Sequence, residues 1–300
     1  MGKPNAEGPS GCVLLHKQPG FTSFESLYAV KRAFKGAKTG HAGTLDKFAS
    51  GLLIVLVGRA VKLTPWFSGC GKEYRGIIRF GVETDTLDPE GSPVAQAPVP
   101  SREAVASILP QFTGRILQAP PAYSAVHVDG KRAYALARSG EAPRMKPRPV
   151  SVSRLELRSW DPPLAEIFVQ CSSGTYIRSL ARDIALAAGS RGHLAALTRT
   201  RAAEFRLEDA APMDESAIAA ALKPIDREIT GALGLPCINR EPEDLAAIIR
   251  GKPLDTLLDG IDPVPAAALF CGDQFAAIAE SADGRWRYGC VYAQPGGRQS

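Results

Sequence analysis

The sequence predicts an α+β chain with a small β-rich C-terminal unit. Three observations carry that prediction. KEYRGIIRFG (72–81) alternates Tyr74, Gly76, Ile78 and Phe80 on one side, the period of a strand with one buried face. Thr22-Ser23-Phe24-Glu25 sets an acid three residues after a hydroxyl, a capping box that opens a helix. After Phe205 the texture changes, and short apolar stretches at 266–271, 275–280 and 286–292 read as strands of a separate unit.

The elements follow in order. Residues 1–10, MGKPNAEGPS, are polar with glycine and proline, the composition of a disordered lead. The capped helix carries Phe24, Leu27, Val30 and Phe34 on one stripe, leaving Lys31, Arg32 and Lys35 outside. GHAGTLDKFASG (40–51) is a glycine-rich loop with a single carboxylate, Asp46, and it runs into LLIVLV (52–57), a buried strand or helix. TDTLDPEGSPV (84–94) is turn chemistry built on Asp85, Asp88, Pro89, Gly91 and Pro93. Ser101 caps a helix with Val105, Ile108 and Leu109. Residues 118–140 read as a proline-led loop, a hairpin over Asp129-Gly130 and a short basic helix, and MKPRP (145–149) is a basic linker. Two strands at 150–160 and 165–171 precede a helix opened by Gly174-Thr175. It turns Ile177, Leu180, Ala181 and Ile184 inward, with Arg178 and Arg182 four apart on another face. An alanine-rich segment (217–222), a loop to Pro236 and a short helix at 243–250 lead into the last strands, so the boundary is set near residue 230. No internal repeat is visible.

Bulk properties narrow the class. A chain of 300 residues suits about two domains. Apolar content of 45% and charge of 22% are ordinary globular values. No apolar run approaches the roughly 18 residues of a membrane span. The N-terminus lacks an apolar signal core and Ala6 breaks the myristoylation pattern, so a cytoplasmic protein is expected. Six scattered cysteines show no CxxC pair, and no histidine lies at ligand spacing; free thiols and no metal are expected. The net charge of +5 conceals an asymmetry. Residues 1–212 hold 28 basic and 18 acidic side chains, net +10, whereas 213–300 hold 8 and 13, net −5. The long N-terminal part is suited to a polyanion.

Singly, each candidate has a plain structural role. Asp46 is a helix N-cap for 47–57 or a nucleophile held out on a tight loop. His41 is a turn histidine, Tyr74 a strand aromatic and Arg178 a solvated helix arginine. The chain has no Ser-His-Asp order, no Walker pattern and no dinucleotide fingerprint. The residues alone describe a nucleic-acid-binding chain with one carboxylate available for chemistry.

Their combination goes further. GHAGTLDKFASG resembles the catalytic loop of the TruB family of pseudouridine synthases, G-H-x-G-T-L-D followed by a small-residue turn and an apolar run. Four more blocks resemble that family in the same order: LLHKQPGFTSFE (14–25), KEYRGIIRFGVETDTLDPEG (72–91), PPAYSAVHVDGKRAYALARSGE (120–141), and CSSGTYIRSLARDIALAAG (171–189) with HLAALTRT (193–200). Together they span roughly residues 11–206, about two-thirds of the chain. The tail is similar, more distantly, to the small RNA-binding PUA-like domain that follows in the family.

The resemblance implies a pseudouridine-synthase fold over 11–230, a mixed and mainly antiparallel sheet flanked by helices, and a small β-rich PUA-like domain over 231–300. It also implies isomerisation of the T-loop uridine at tRNA position 55: uracil is detached from C1′, rotated and rejoined through C5. Asp46 matches the nucleophile, Arg178 the arginine that pairs with it, and Tyr74 the aromatic that stacks on the flipped base. Leu197 falls at the apolar contact on the base's other side. His41 and Thr44 border the turn, near the extruded nucleotide. Lys17 supports the loop or contacts substrate. The isomerisation conserves every atom, so no cofactor is implied; the partner is the tRNA T-arm, bound by a monomer. Lys31, Arg32, Lys131, Arg132, Arg138, Arg144, Lys146 and Arg148 become phosphate contacts. Departures are Lys47 where the family has proline, Phe48-Ala49-Ser50 in the following turn, His16 and Gln18 in the first block, His127 and Ser173. Two other readings share these residues, a non-catalytic RNA-binding protein or tRNA folding chaperone and a guide-RNA-dependent H/ACA-type subunit.

Overall fold

The segment after the glycine-rich loop is a strand, and its neighbours explain why it is apolar throughout. The computed structural model describes residues 8–124, 127–128, 131–132, 145–262 and 264–294. In chain order its strands begin with β1 (Gly11–Lys17), β2 (Thr39–Ala42), β3 (Ser50–Val57) and β4 (Lys72–Phe80). Next come β5 (Val82–Thr84), β6 (Pro93–Gln96), β7 (Gly114–Gln118), β8 (His127–Val128) and β9 (Lys131–Arg132). Then follow β10 (Arg148–Asp161), β11 (Leu164–Cys171), β12 (Gly192–Ala202) and β13 (Phe205–Arg206). The last are β14 (Cys237–Arg240), β15 (Ala266–Cys271), β16 (Gln274–Ala282) and β17 (Arg285–Val291).

Among the described residues nine strands form one sheet, ordered β1-β3-β12-β4-β11-β10-β7, with β2 on β3 and β13 on β12. Every pairing in it is antiparallel except β3 with β12, where Thr198 faces Ser50 and Arg199 faces Gly51. In β3, Leu52, Ile54 and Leu56 face one core while Leu53, Val55 and Val57 face another. A strand covered on both sides reads as a continuous apolar run without alternation. β4 alternates as its sequence requires: Tyr74, Ile78 and Phe80 are buried, Arg75 and Arg79 exposed. The helix Ile177–Ala187 covers its buried side with Ile177, Leu180, Ala181 and Ile184.

The capping box is present on the helix Ser23–Ala33: Thr22 accepts from the Glu25 amide while Glu25 accepts from the Thr22 amide. The expected stripe is corrected at one position. Leu27, Val30 and Phe34 point inward, but Phe24 is 56% exposed and lies edge-on to Tyr28, itself 50% exposed. Ser23 and Ser26 fill the inward positions instead, because the Ser23 hydroxyl bonds the loop backbone at Leu45. Arg178 is also corrected: it is buried, not on a solvated face. Ser101 caps the helix Arg102–Ile108 as expected. The β8–β9 ladder flanks positions 129 and 130, which lie outside the described residues, as do the lead over 1–7 and the basic helix expected after β9.

The C-terminal strands make a four-stranded sheet, β14-β15-β16-β17. One face closes on its own core around Ile248, Leu254, Leu269 and Trp286. The other joins the first sheet: Ala268, Phe270, Phe275, Ile278 and Tyr292 share one cluster with Leu14, Leu52 and Ile54. Residue 230 lies within the helix Arg227–Ala232, whose Ile229 belongs to that shared cluster.

Candidate active site

Residues 43–49 connect antiparallel β2 and β3 without forming a helix, so Asp46 has no helix to cap. Glycine is required where the loop joins the sheet. Gly51 adopts φ +110, and a Cβ there would lie 2.3 Å from the Arg199 carbonyl oxygen on β12. Three polar side chains clamp the loop's backbone from below. Ser23 accepts from the Leu45 amide at 2.8 Å and donates to the Leu45 carbonyl at 3.0 Å. Lys17, at the end of β1 with 0% of its surface exposed, donates from Nζ to the carbonyls of Ala49, Lys47 (3.3 Å) and Gln18 (3.2 Å). Arg199 is 1% exposed, and it donates from Nε to the Leu52 carbonyl at 2.7 Å and from Nη2 to the Gly43 carbonyl at 2.9 Å. Each cation satisfies carbonyls that the irregular backbone would otherwise bury unpaired.

Asp46 stands at the crest of this clamped loop, its side chain 36% exposed. Arg178, in the first turn of the helix Ile177–Ala187, reaches it from the other side. Nη2 donates to Asp46 Oδ1 at 3.0 Å, and Nε lies 2.9 Å from Oδ2 in an ion pair whose angle is too bent for a hydrogen bond. The same guanidinium holds a second carboxylate: Nη1 donates to Asp88 Oδ2 at 3.1 Å and to the Thr86 carbonyl at 2.9 Å, while Nη2 also donates to the Tyr123 carbonyl at 3.0 Å. Asp88 is buried, and its Oδ1 accepts from the Thr86 hydroxyl at 2.6 Å and from the Glu90 amide at 3.0 Å. The turn bearing it passes through Leu87 at φ +62. Gln118 fixes the start of the arginine's helix, accepting from the Tyr176 amide at 2.8 Å and donating to the Tyr176 carbonyl at 3.1 Å.

The electrostatics follow from this geometry. Burial pushes the Asp46 carboxyl above the usual aspartate range; Arg178 pulls it back down and Asp88 pushes it further up. Burial pulls the Lys17 ammonium down to about 8, with Asp46 acting in the opposite direction. Burial pushes the Tyr74 phenol up against the pull of Arg199, so the ring keeps its proton at neutral pH. A carboxylate fixed by a planar cation and open on one side can attack an electron-poor carbon or take a proton there.

The sequence candidates distribute unequally. Asp46 and Arg178 are in contact. Tyr74 and Leu197 are buried together in the cluster that contains Leu45 and Ala49, which flank Asp46 in the chain. His41, on β2, is half-buried with Nδ1 unpartnered among the described residues, and burial lowers its pKa. Thr44 is exposed on the loop. Lys17 offers no surface to a ligand. Of the eight basic residues, Lys31, Lys146 and Arg148 are exposed, and Arg32 pairs with Glu215. The side chains of Lys131, Arg132, Arg138 and Arg144 lie outside the described residues. Lys47, the residue after Asp46, reaches across to Glu90 at 4.0 Å.

Asp88, Arg199, Ser23 and Gln118 join the site without being marked in the sequence. Asp88 reads there only as turn chemistry, and nothing local marks a turn aspartate as the partner of an arginine 90 residues away. A recess of about 600 Å³ lined by Glu73, Arg75, Phe168 and Arg201 lies on the opposite face of the sheet and contains none of the site residues.

The family model for TruB family pseudouridylate synthase (N terminal domain) matches residues 31–177. A protein named tRNA pseudouridine synthase B from Borreliella burgdorferi (strain ZS7) is 45% identical over 203 residues, covering 67% of this chain and 72% of its own. One of the same name from Sinorhizobium medicae (strain WSM419) is 38% identical over 306 residues, covering 97% of this chain and 98% of its own. Among solved structures, a chain of a Cbf5-Nop10-Gar1 complex superposes with a TM-score of 0.69 at 23% identity, covering 97% of this chain and 89% of that one. A chain of the archaeal box H/ACA sRNP Nop10-Cbf5 complex gives 0.68 at 23% identity, over 94% and 86%. These two structures share the fold.

Proposed function

The chain belongs to the TruB family of pseudouridylate synthases, and from that premise we propose that it modifies the T-loop uridine of tRNA at position 55, with Asp46 as the group that attacks. The enzyme is an isomerase that converts uridine in tRNA to pseudouridine. The observation that carries the residue assignment is the two-sided fixing of Asp46: its loop is clamped by Lys17, Ser23 and Arg199, and its carboxylate is gripped by an Arg178 that Asp88 holds in place.

In this reading the uridine leaves its stack and enters between the Tyr74 ring and Leu197, a cost of a few kcal/mol that aromatic contact partly offsets. Asp46 acts at the reacting carbon without having to reorganise, because Arg178 already fixes its plane. Breaking C1′–N1 and forming C1′–C5 conserves all atoms, so no group need be brought in. Tyr74 retains its proton for transfer late in the reaction. His41 and Thr44 line the entry beside the nucleotide, and Lys17 acts through the loop rather than on substrate. Residues 11–230 form the catalytic unit and 231–300 the PUA-like unit, the enzyme working as a monomer on the T-arm.

The test is to incubate the purified protein with an unmodified tRNA transcript and map pseudouridine nucleotide by nucleotide. One new pseudouridine in the T-loop at position 55 is expected, without guide RNA or added protein. Modification that requires a guide RNA, or tRNA binding without modification, would overturn the reading in favour of the H/ACA-type subunit or the folding chaperone.

A further inference from the structure

The face of the helix Ser23–Ala33 turned away from the core has no role in the chemistry above. Phe21, Phe24 and Tyr28 are 47%, 56% and 50% exposed, three of the eight large apolar side chains exposed among the described residues. Phe24, Tyr28 and Lys31 follow one another at spacings of four and three, which is a single stripe on the helix, and Lys35 lies exposed in the turn just past its end. The rings of Phe24 and Tyr28 meet edge-to-face at 5.7 Å and 78°. Lys31 Nζ sits over both, 4.7 Å from the first centroid and 5.4 Å from the second. No carboxylate pairs with Lys31 or Lys35 among the described residues; the nearby Glu25 is committed to the capping box and Arg32 to Glu215.

We propose that this stripe is a stacking ledge for unpaired nucleobases of the tRNA loop, those next to the extruded uridine. The proposal rests on the reading of the substrate given above. Its position supports it: Ser23 bonds both backbone groups of Leu45, and the Gly20 amide donates to the Lys47 carbonyl at 2.8 Å, so the start of the ledge is bolted to the loop that carries Asp46. From Phe24 to Lys31 the ledge extends about 10 Å at helical rise. Its energetics favour a base over the resting contact. An exposed cation–π contact contributes about two- to fivefold in an equilibrium, whereas a base stacked on an aromatic contributes about five- to 150-fold. A nucleobase therefore displaces the Lys31 ammonium from the rings, and the ammonium moves to a phosphate. A protein partner would leave two unpaired lysines at the edge of its apolar contact, and a polynucleotide supplies their counter-charge.

The test compares wild type with the exposed-side-chain variants F24A/Y28A, F24Y/Y28F and K31A/K35A, each checked for an unchanged melting temperature. Affinity for an unmodified tRNA transcript is measured by filter binding across a salt series, and steady-state pseudouridine formation alongside. F24A/Y28A is expected to raise both Kd and KM about tenfold, the loss falling in KM rather than kcat. F24Y/Y28F, which keeps both ring faces, is expected to restore wild-type affinity. K31A/K35A is expected to flatten the salt dependence by about 0.7–0.9 in slope for each phosphate left without its lysine. Unchanged tRNA affinity in F24A/Y28A overturns the ledge. So does sedimentation showing that wild type dimerises and F24A/Y28A does not, with tRNA affinity equal, which would make the stripe an interface between copies. The binding arm reads the ledge even if wild type forms no pseudouridine, an outcome that removes the enzyme reading alone.

Discussion

Asp88 and Arg178 are both almost wholly enclosed, and that changes what loss of the arginine does. Were its only partner Asp46, removing Arg178 would cost activity more than folding. With Asp88 buried against it, Arg178→Ala leaves an uncompensated charge, and a cost of about 3–5 kcal/mol is expected in urea unfolding. Adding Asp88→Asn to that variant should recover part of the loss, while activity stays at least about 100-fold down because Asp46 has lost its orienting partner. Asp88→Asn alone makes a second prediction, in pH. Asp88 pushes the Asp46 carboxyl up, so neutralising it lets Asp46 ionise at lower pH, and the acid limb of kcat/KM should move to lower pH. A limb that stays in place, or moves up, contradicts the assignment of Asp46. Lys17 gives a third sign. Its folded pKa of about 8 lies below the ordinary lysine value, so between those two the unfolded chain binds more protons than the folded one. Stability of wild type relative to Lys17→Met should therefore rise as pH climbs above 8. Asp46 and Arg178 are legible because their motifs are local; Asp88 is not, because its role exists only across a distance in the chain.

At the scale of elements, legibility follows exposure. β4 is plain in the sequence because one of its faces is wet, which writes an alternation into the residues. β1 leaves no such trace, and β3 is ambiguous with a helix, because strands covered on both faces carry no period of two; β12 keeps one partly open face, but register shifts at Leu194/Ala196 and Arg199/Arg201 interrupt its alternation. β12 matters most. Its short parallel contact with β3 brings Arg199 under the loop and forces Gly51 into a conformation that other residues avoid. Gly51→Ala should cost at least about 2 kcal/mol, since backbone strain of about 1–3 kcal/mol is joined by a Cβ too close to the Arg199 carbonyl. The loss should show in urea midpoints and as reduced turnover, and a neutral outcome would mean that the loop is not clamped as described. Phe24 reads as inward because three-residue spacing to Leu27 looks like a stripe. The polar bond between Ser23 and Leu45 rotates the helix so that serine faces the sheet and the ring faces solvent.

Across the whole molecule the two sheets are not separate bodies. Phe270, Phe275 and Ile278 of the C-terminal sheet lie in one cluster with Leu14, Leu52 and Ile54. Arg59 donates from Nε to the Tyr292 carbonyl at 2.9 Å and from Nη2 to the Ala293 carbonyl at 3.1 Å, tying the end of the chain to the first sheet. Phe275→Ala should lower stability by about 3–5 kcal/mol and shift a single calorimetric transition, rather than melt one sheet ahead of the other. The change of texture after Phe205 is visible in the sequence, but a shared core leaves no local mark. The basic excess lies in the first 212 residues, which include the loop, and the remainder is acidic, so a polyanion is attracted to the former. In the proposed function binding and chemistry separate, one distributed over a surface and the other concentrated in the Asp46 carboxylate. The direct test is Asp46→Asn, which preserves shape and one acceptor oxygen for Arg178 while removing the charge, assayed side by side with wild type for tRNA affinity and for pseudouridine in the T-loop. Affinity within about twofold of wild type and no detectable pseudouridine are predicted; pseudouridine formed by that variant at anything near the wild-type rate would contradict the role given to Asp46.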